Sequence, residues 1–304
     1  MGLASPFANT SAGIHPAHFL STRAWHLRWS DINRSVSLAR DALDHCDADP
    51  KGAALHAGHA HLVLAWHTKW RGYLAQSEFH RAESLDNLKR AKSDTWIPLV
   101  HSIESIAAFV GGDFGACERA LKTARKSFDG ETPDEAMADL LCSLATHARI
   151  LGDFELACRY LDRALVHGKG PDISRVHQNI ARCLIEFGQH QRALPFALRS
   201  LASAHLHNNR SVLPYAHELL GRAHTHLGNH VRAAEALLSG QKIARANQDI
   251  RVMSQLGIAR GALEARLGNH SGARDCIEMV VSKAERSRFG LHVEQARSIL
   301  GLVA

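Results

Sequence analysis

Histidine is the side chain most able to do chemistry in this sequence, with 22 copies in 304 residues. Three groupings have the close spacing of a metal site: His56-x-x-His59-x-His61, His205-x-His207 and His224-x-His226. A neutral imidazole binds zinc or copper, and a few of them together could hold such an ion. On a helix, however, residues i and i+2 point in different directions, which weakens the H-x-H pairs. The soft thiolate ligands are Cys46, Cys117, Cys142, Cys158, Cys183 and Cys276, none in a C-x-x-C pair. They read as buried free thiols in a reducing cytoplasm. The sequence holds no H-E-x-x-H and no convincing Ser/His/Asp order. Gly168-Lys169-Gly170-Pro171 lacks the spacing of a phosphate loop and no strand precedes it.

The elements that must carry these residues follow from a period. Gly72, Gly112, Gly152, Gly188, Gly228 and Gly268 are separated by 40, 40, 36, 40 and 40 residues. A period of that length signals stacked copies of one supersecondary unit. Five residues after each glycine stands a small side chain: Ser77, Cys117, Ala157, Ala193, Ala233 and Ala273. Seven before it stand Ala65, Ser105, Ala145, Ala181, Gly221 and Gly261. Twelve after it come Ser84, Ala124, Ala164, Ser200, Gly240 and the larger Val280. Small residues on one helical face let two backbones approach, and glycine suits a tight turn between them. Each unit therefore reads as helix, turn, helix. An earlier unit fits with Ser30 in the glycine's place, although Arg23 departs from the small column.

The columns resemble the tetratricopeptide repeat, with a small residue in the first helix, a G-x-[YF]-x-x-A turn and a second small residue beyond. Gly152 to Ala157, GDFELA, is the closest match; GYLAQS, GDFGAC, GQHQRA, GNHVRA and GNHSGA match in part. The period is longer than the family's usual one and falls in the HEAT range, but HEAT repeats do not need this glycine–small-residue turn. The resemblance implies an all-α, right-handed superhelical solenoid of about seven antiparallel helix pairs over 15–288. A flexible lead would precede it over 1–14, and a capping helix would close it over 289–304. Seven histidines fall in columns where the family carries large flat residues: His61, His101, His177 and His217 eleven before the glycine, and His190, His230 and His270 two after it. They read as packing residues, which leaves no metal or cofactor expected. Gly111-Gly112-Asp113-Phe114 is similar to the GGDEF signature of diguanylate cyclases, but it lacks the glutamate and falls on a repeat turn.

Composition narrows the function classes. Apolar residues are 45%, enough for a continuous core between helices. No apolar run reaches the roughly 18 residues of a membrane span, and no signal peptide is visible. A net charge of +6 is spread out, without the basic stripe of a nucleic-acid binder.

By the resemblance, residues thirteen, ten, six, three and two before each glycine line the concave face. Units two and three offer Trp66, Trp70, Ile106 and Phe109, with Trp66 and Trp70 as i, i+4 neighbours. Units four to six offer Arg149, Arg175, Gln178, Arg182, Glu186, Tyr215, Glu218, Arg222 and His226. Arginine recognises carboxylate or phosphate bidentately, and tryptophan and arginine are frequent binding anchors. The bland alternative is arginines spent on neighbouring glutamates and tryptophans spent on the core. Arg182 and Arg222 stand where chaperone-tail binders of this family carry asparagine, which disfavours that partner. The expectation is a non-catalytic, cytoplasmic scaffold for a protein or peptide partner with apolar and acidic character, without nucleic acid or membrane. Alternatives are the amino-terminal sensor region of a bacterial signalling protein, to which Ala24 to Leu43 is similar, and a histidine-based metal protein. Self-association through the terminal helix, residues 290–302, is a further expectation.

Overall fold

Each glycine of the period ends a first helix in the left-handed region, with φ between 75° and 88° at all six. The computed structural model describes residues 15–48, 52–126 and 133–303, so the lead over 1–14 lies outside it. Among the described residues the chain forms fifteen helices and no strand. In order they are α1 (Pro16–Leu27), α2 (Ile32–Ala48), α3 (Ala54–Arg71), α4 (Leu74–Arg90) and α5 (Ile97–Gly111). Then come α6 (Phe114–Lys126), α7 (Asp134–Ile150), α8 (Phe154–His167), α9 (Asp172–Glu186) and α10 (His190–Leu206). The last are α11 (Leu213–His226), α12 (His230–Ala246), α13 (Ile250–Arg266), α14 (His270–Arg286) and α15 (Gly290–Val303). Odd helices pair with the even helix that follows, and each pair stacks on the next, giving an antiparallel helical solenoid.

The turn chemistry explains the period. After each glycine the next N–H bonds back five residues, as from Tyr73 to the Thr68 carbonyl at 2.9 Å and from Asp153 to the Ala148 carbonyl at 2.9 Å. This closure satisfies a carbonyl that the helix end would otherwise leave open, and it needs a left-handed residue. The following helix starts two residues after the glycine in all six units. Asp153 then caps α8 by accepting from the Leu156 N–H. The 36-residue gap comes from α8, which has 14 residues where α4, α10, α12 and α14 have 17. That is about one helical turn fewer. Gly111 to Phe114 forms the α5–α6 turn, and Gly168 to Pro171 links α8 to α9.

The small columns sit where neighbouring helices touch. A Cβ on Gly221 would lie 2.5 Å from the Leu237 side chain, and one on Gly261 would lie 2.5 Å from Ile277. The first unit shifts its register: Arg23 is exposed while Ala24 is buried, so the contact moves one residue along. The histidine columns are mostly half-buried: His61 meets Phe79 and His80, and His177 meets Phe196. His270 departs from the packing expectation, because it opens α14 on the exposed side.

The solenoid curls until its first units meet later ones. The Arg210 N–H donates to the Trp29 carbonyl at 3.0 Å. Arg28 pairs with Asp172 at 3.2 Å, and the Trp25 indole donates to Glu135 at 2.7 Å. Farther along, α13 touches α3 and α15 touches α5. The Phe289 ring lies over Gly72, so close that a Cβ there would be 2.2 Å from it. As a result Trp25, Trp29, Trp66 and Trp96 share one apolar cluster with Tyr215 and Leu256. Trp25 and Trp66 pack edge-to-face 5.9 Å apart, and Trp29 and Trp66 5.2 Å apart. Trp66 is thus core, 2% exposed, and cannot serve as a groove platform. The closure places the later helices against the face that an open solenoid would present. The side chain of Trp70 lies outside the described residues.

Candidate functional site

Curling shapes a partly open cavity of about 310 Å³ on the concave side, walled by α5, α7, α9, α11, α13 and α15. Ile106, Phe109, Arg149, Arg175, Gln178, Arg182, Tyr215, Glu218, Arg222 and His226 all line it. They converge because one helical face repeats from unit to unit: position thirteen before the glycine is Arg175 on α9 and Tyr215 on α11. The same offsets applied to the last glycine give Gln255, Ile258 and Ala262 on α13, which also line the cavity. Extending the ruler one unit would have found them. Leu291, Gln295, Ser298 and Ile299 of α15 complete the wall, and no glycine marks their unit.

The cavity's charges form a ladder between odd helices. Arg149 of α7 pairs with Glu186 of α9. Arg182 of α9 donates to Glu218 of α11 at 2.8 Å and lies 3.3 Å from Gln255 of α13. Arg222 reaches Glu218 at 3.4 Å and Glu186 at 3.7 Å. Only the Arg222–Glu218 pair lies within one helix, so most of these arginines tie successive units together. Burial, helped by the Arg182 and Arg222 cations, brings the Arg149 guanidinium down to about 9.

Beneath the ladder lies a second polar layer. Arg175 forms an ion pair with Asp139, its Nη1 2.7 Å from a carboxylate oxygen, and both are buried. Ser102 donates to the other Asp139 oxygen and lies 3.1 Å from the Ser143 hydroxyl. Burial pushes the Asp139 carboxyl up, but Arg175 and Lys69 pull harder and hold it below its ordinary value. Lys69 sits over the Trp66 ring at 3.9 Å, and burial brings its ammonium down to about 7 despite Asp139. At the rim, His190 and His226 stack with ring centroids 4.0 Å apart. Burial, then His190 and the Arg266 and Arg222 cations, lower the His226 imidazole to about 4.

Five arginines, Arg149, Arg175, Arg182, Arg222 and Arg251, face the cavity against two glutamates, Glu186 and Glu218. The wall therefore favours anions, with an apolar side formed by Ile106, Phe109, Leu291 and Ile299. Among the described residues no three His, Cys, Asp or Glu side chains converge as a metal site requires. No described helix is long and apolar enough to cross a membrane.

No protein-family model matches the chain, and no curated protein matches it either. Solved structures do. A Rap protein in complex with Competence and Sporulation Factor is 14% identical over 94% of this chain and 84% of that one, with a TM-score of 0.69. Aspartyl phosphate phosphatase F from Bacillus subtilis is 14% identical over 96% of this chain and 84% of that one, with a TM-score of 0.51. Yeast Tom70 is 12% identical over 98% of this chain and 67% of that one, with a TM-score of 0.50. The shared feature is the fold, a tetratricopeptide-type helical-repeat solenoid.

Proposed function

We propose that this chain is a non-catalytic repeat scaffold that holds a short segment of a protein or peptide partner in its concave cavity. The observation that carries the reading is the wall itself: five arginines against two glutamates, beside an apolar patch, on successive units of one solenoid. Such a wall suits a partner segment with an acidic group and an apolar anchor. The similarity to a Rap protein solved with Competence and Sporulation Factor supports the use of this fold for holding a partner. At about 310 Å³ the cavity is at the small end of ligand sites, so it takes one or two residues of the segment rather than a long stretch.

A random peptide library selected on the immobilised chain tests this. Enriched sequences should combine acidic and apolar residues, and they should lose binding to Ile106→Trp, which fills the cavity from α5. Enrichment of basic sequences, or no enrichment, overturns the reading.

A further inference from the structure

The last rung of the charge ladder lacks its acid. Arg149, Arg182 and Arg222 each face a glutamate. At the rim, Glu186, His226 and Arg266 occupy one column, two residues before the glycines that end α9, α11 and α13. Glu186 takes Arg149 and Arg222. Arg266 instead meets an imidazole, its Nη2 3.1 Å from the His226 Nδ1. Among the described residues Arg266 has no carboxylate partner, and Glu264, nearby in sequence, accepts from Arg260 and Asn269 instead. A guanidinium can only donate, so the His226 Nδ1 accepts and the ring proton sits on Nε2. That N–H has no hydrogen-bond partner among the described residues. His190 of α10 stacks on the His226 ring, centroids 4.0 Å apart and planes 11° from parallel, and holds its orientation. Arg222 stands one turn back on α11, on the same helical face as His226. These groups are open to a ligand: Arg266 and His226 are exposed, and the Arg222 side chain is 26% exposed.

The surroundings select the ligand's charge. Burial and then the Arg222 and Arg266 cations lower the His190 imidazole, and the same two cations act on His226. Glu186, the carboxylate beside Arg222, is already shared with Arg149. An anion at this rim therefore relieves a repulsion among like charges. The donors come from two helices rather than from one planar fork. A tetrahedral dianion can accept from several sides, and it gains about twice the Coulomb attraction of a carboxylate.

We propose that the rim formed by Arg222, His226 and Arg266 is a binding site for a phosphoryl dianion. Arg266 and the His226 Nε2–H donate to its oxygens, and Arg222 adds a second full charge from α11. The same group occurs as free phosphate and on a phosphorylated residue. Arg222 and His226 also line the cavity, so the inference rests on reading the cavity as the binding site and names the acidic group that docks at its edge.

Calorimetric titration with inorganic phosphate near neutral pH and at low salt tests it, with a Kd of about 1 mM expected for an ion of that size. Acetate, with half the charge, should bind about 10–30-fold more weakly. Arg266→Gln should weaken phosphate about 10–100-fold. The melting temperature should stay where it is, because Arg266 is exposed and its bond goes to a neutral ring. His226→Leu should weaken phosphate about fivefold, the loss of one hydrogen bond. Arg274→Gln removes an exposed arginine of α14 outside the cluster and should bind as the wild type does. A short capped peptide with phosphoserine beside phenylalanine that binds more tightly than phosphate assigns the site to a phosphorylated segment, and equal or weaker binding assigns it to the free ion. No saturable phosphate binding, acetate as tight as phosphate, or equal losses in Arg266→Gln and Arg274→Gln overturns the proposal. If selected peptides need the open cavity while phosphate does not bind, this inference falls and the scaffold reading stands. If phosphate binds and no peptide is selected, the scaffold reading falls and the rim site stands.

Discussion

Glu218 receives two arginines, Arg182 and Arg222, while 1% exposed, which makes it the least replaceable member of the ladder. Glu218→Ala would leave Arg182 buried with Gln255 as its remaining neighbour, at a cost of about 3–5 kcal/mol in urea unfolding. Arg222→Gln should change stability by under about 1 kcal/mol, because the Arg222 side chain is about a quarter exposed and its pairs are screened. Reversing both Arg182 and Arg222 to glutamate would crowd carboxylates around Glu218 and Glu186, so that pair of changes probes stability before it probes binding.

The histidines carry the pH dependence. Burial holds His59, His67 and His292 near 3, with His56, Arg71 and Arg251 respectively as the largest charge contribution. The folded state keeps them neutral while the unfolded chain protonates them below about pH 6.5. Their contribution is therefore complete above that pH and is lost as pH falls toward 3. Two buried carboxyls oppose the trend: burial raises Asp172 and Asp249 to about 6, so the folded state takes up protons there earlier than the unfolded chain. Over pH 7.5 to 5.5 the three imidazoles lose about 4 kcal/mol and the two carboxyls return about 1.5 kcal/mol. The melting temperature should fall across that range, and a flat profile would contradict the account. The sequence placed seven histidines in columns, but not these three: His59 packs against Trp96 and His67 lies 2.8 Å from the Ser35 hydroxyl, contacts between adjacent units outside the columns.

At the scale of elements the period was highly legible. Its glycines are the left-handed turns, its small columns are the helix contacts, and the second helices begin where the spacing puts them. A second set of turns was not legible. Lys92, Asn208, Gln248 and Arg288, each twenty residues after a glycine, also have positive φ, between 50° and 57°. They close the even helices with the same five-residue bond, as from Asp249 to the Ala244 carbonyl at 3.1 Å. Lys92, Gln248 and Arg288 are side chains that seldom adopt this conformation, and only Asn208 is a residue that visits it readily, so the four positions formed no column that a sequence could show. Two glycines separate turn strain from packing. Nothing lies within 4 Å of a Cβ on Gly152, so Gly152→Ala should cost only the backbone strain, about 1–2 kcal/mol. Gly72→Ala carries the same strain plus a collision with Phe289 at 2.2 Å, and it should be destabilised further by about 1–3 kcal/mol. Equal losses in thermal or chemical unfolding would mean that Phe289 is not seated on the α3 turn.

For the whole molecule, the decisive property is one that nearest-neighbour periodicity cannot encode. An open solenoid is held unit to unit, so it can unfold in sections. Here Arg28 grips Asp172, Arg210 bonds to Trp29, and Phe289 covers Gly72, so the first units are braced by the fifth through the last. Trp66 was legible as apolar, but its surroundings were not: Trp25 and Trp29 of the first unit pack on its ring, and the Arg175 guanidinium of α9 lies 5.9 Å from it. The cavity wall was legible to the extent that it obeys the columns, and α15's share was not, because no glycine marks it. The closure has a consequence for cooperativity. All five tryptophans lie between residues 25 and 96, so their fluorescence reports the first units, whereas far-ultraviolet circular dichroism reports every helix. In the wild type the two probes should trace one coincident urea transition. Arg28→Ala removes the ion pair to Asp172 together with the stacking of its guanidinium 4.0 Å from the Trp25 ring. The fluorescence transition should then move to lower urea while the dichroism broadens, because the first units can leave before the rest. Coincident transitions in both proteins, with only a shared shift, would mean that the braces act within units and the ring of contacts does not set cooperativity.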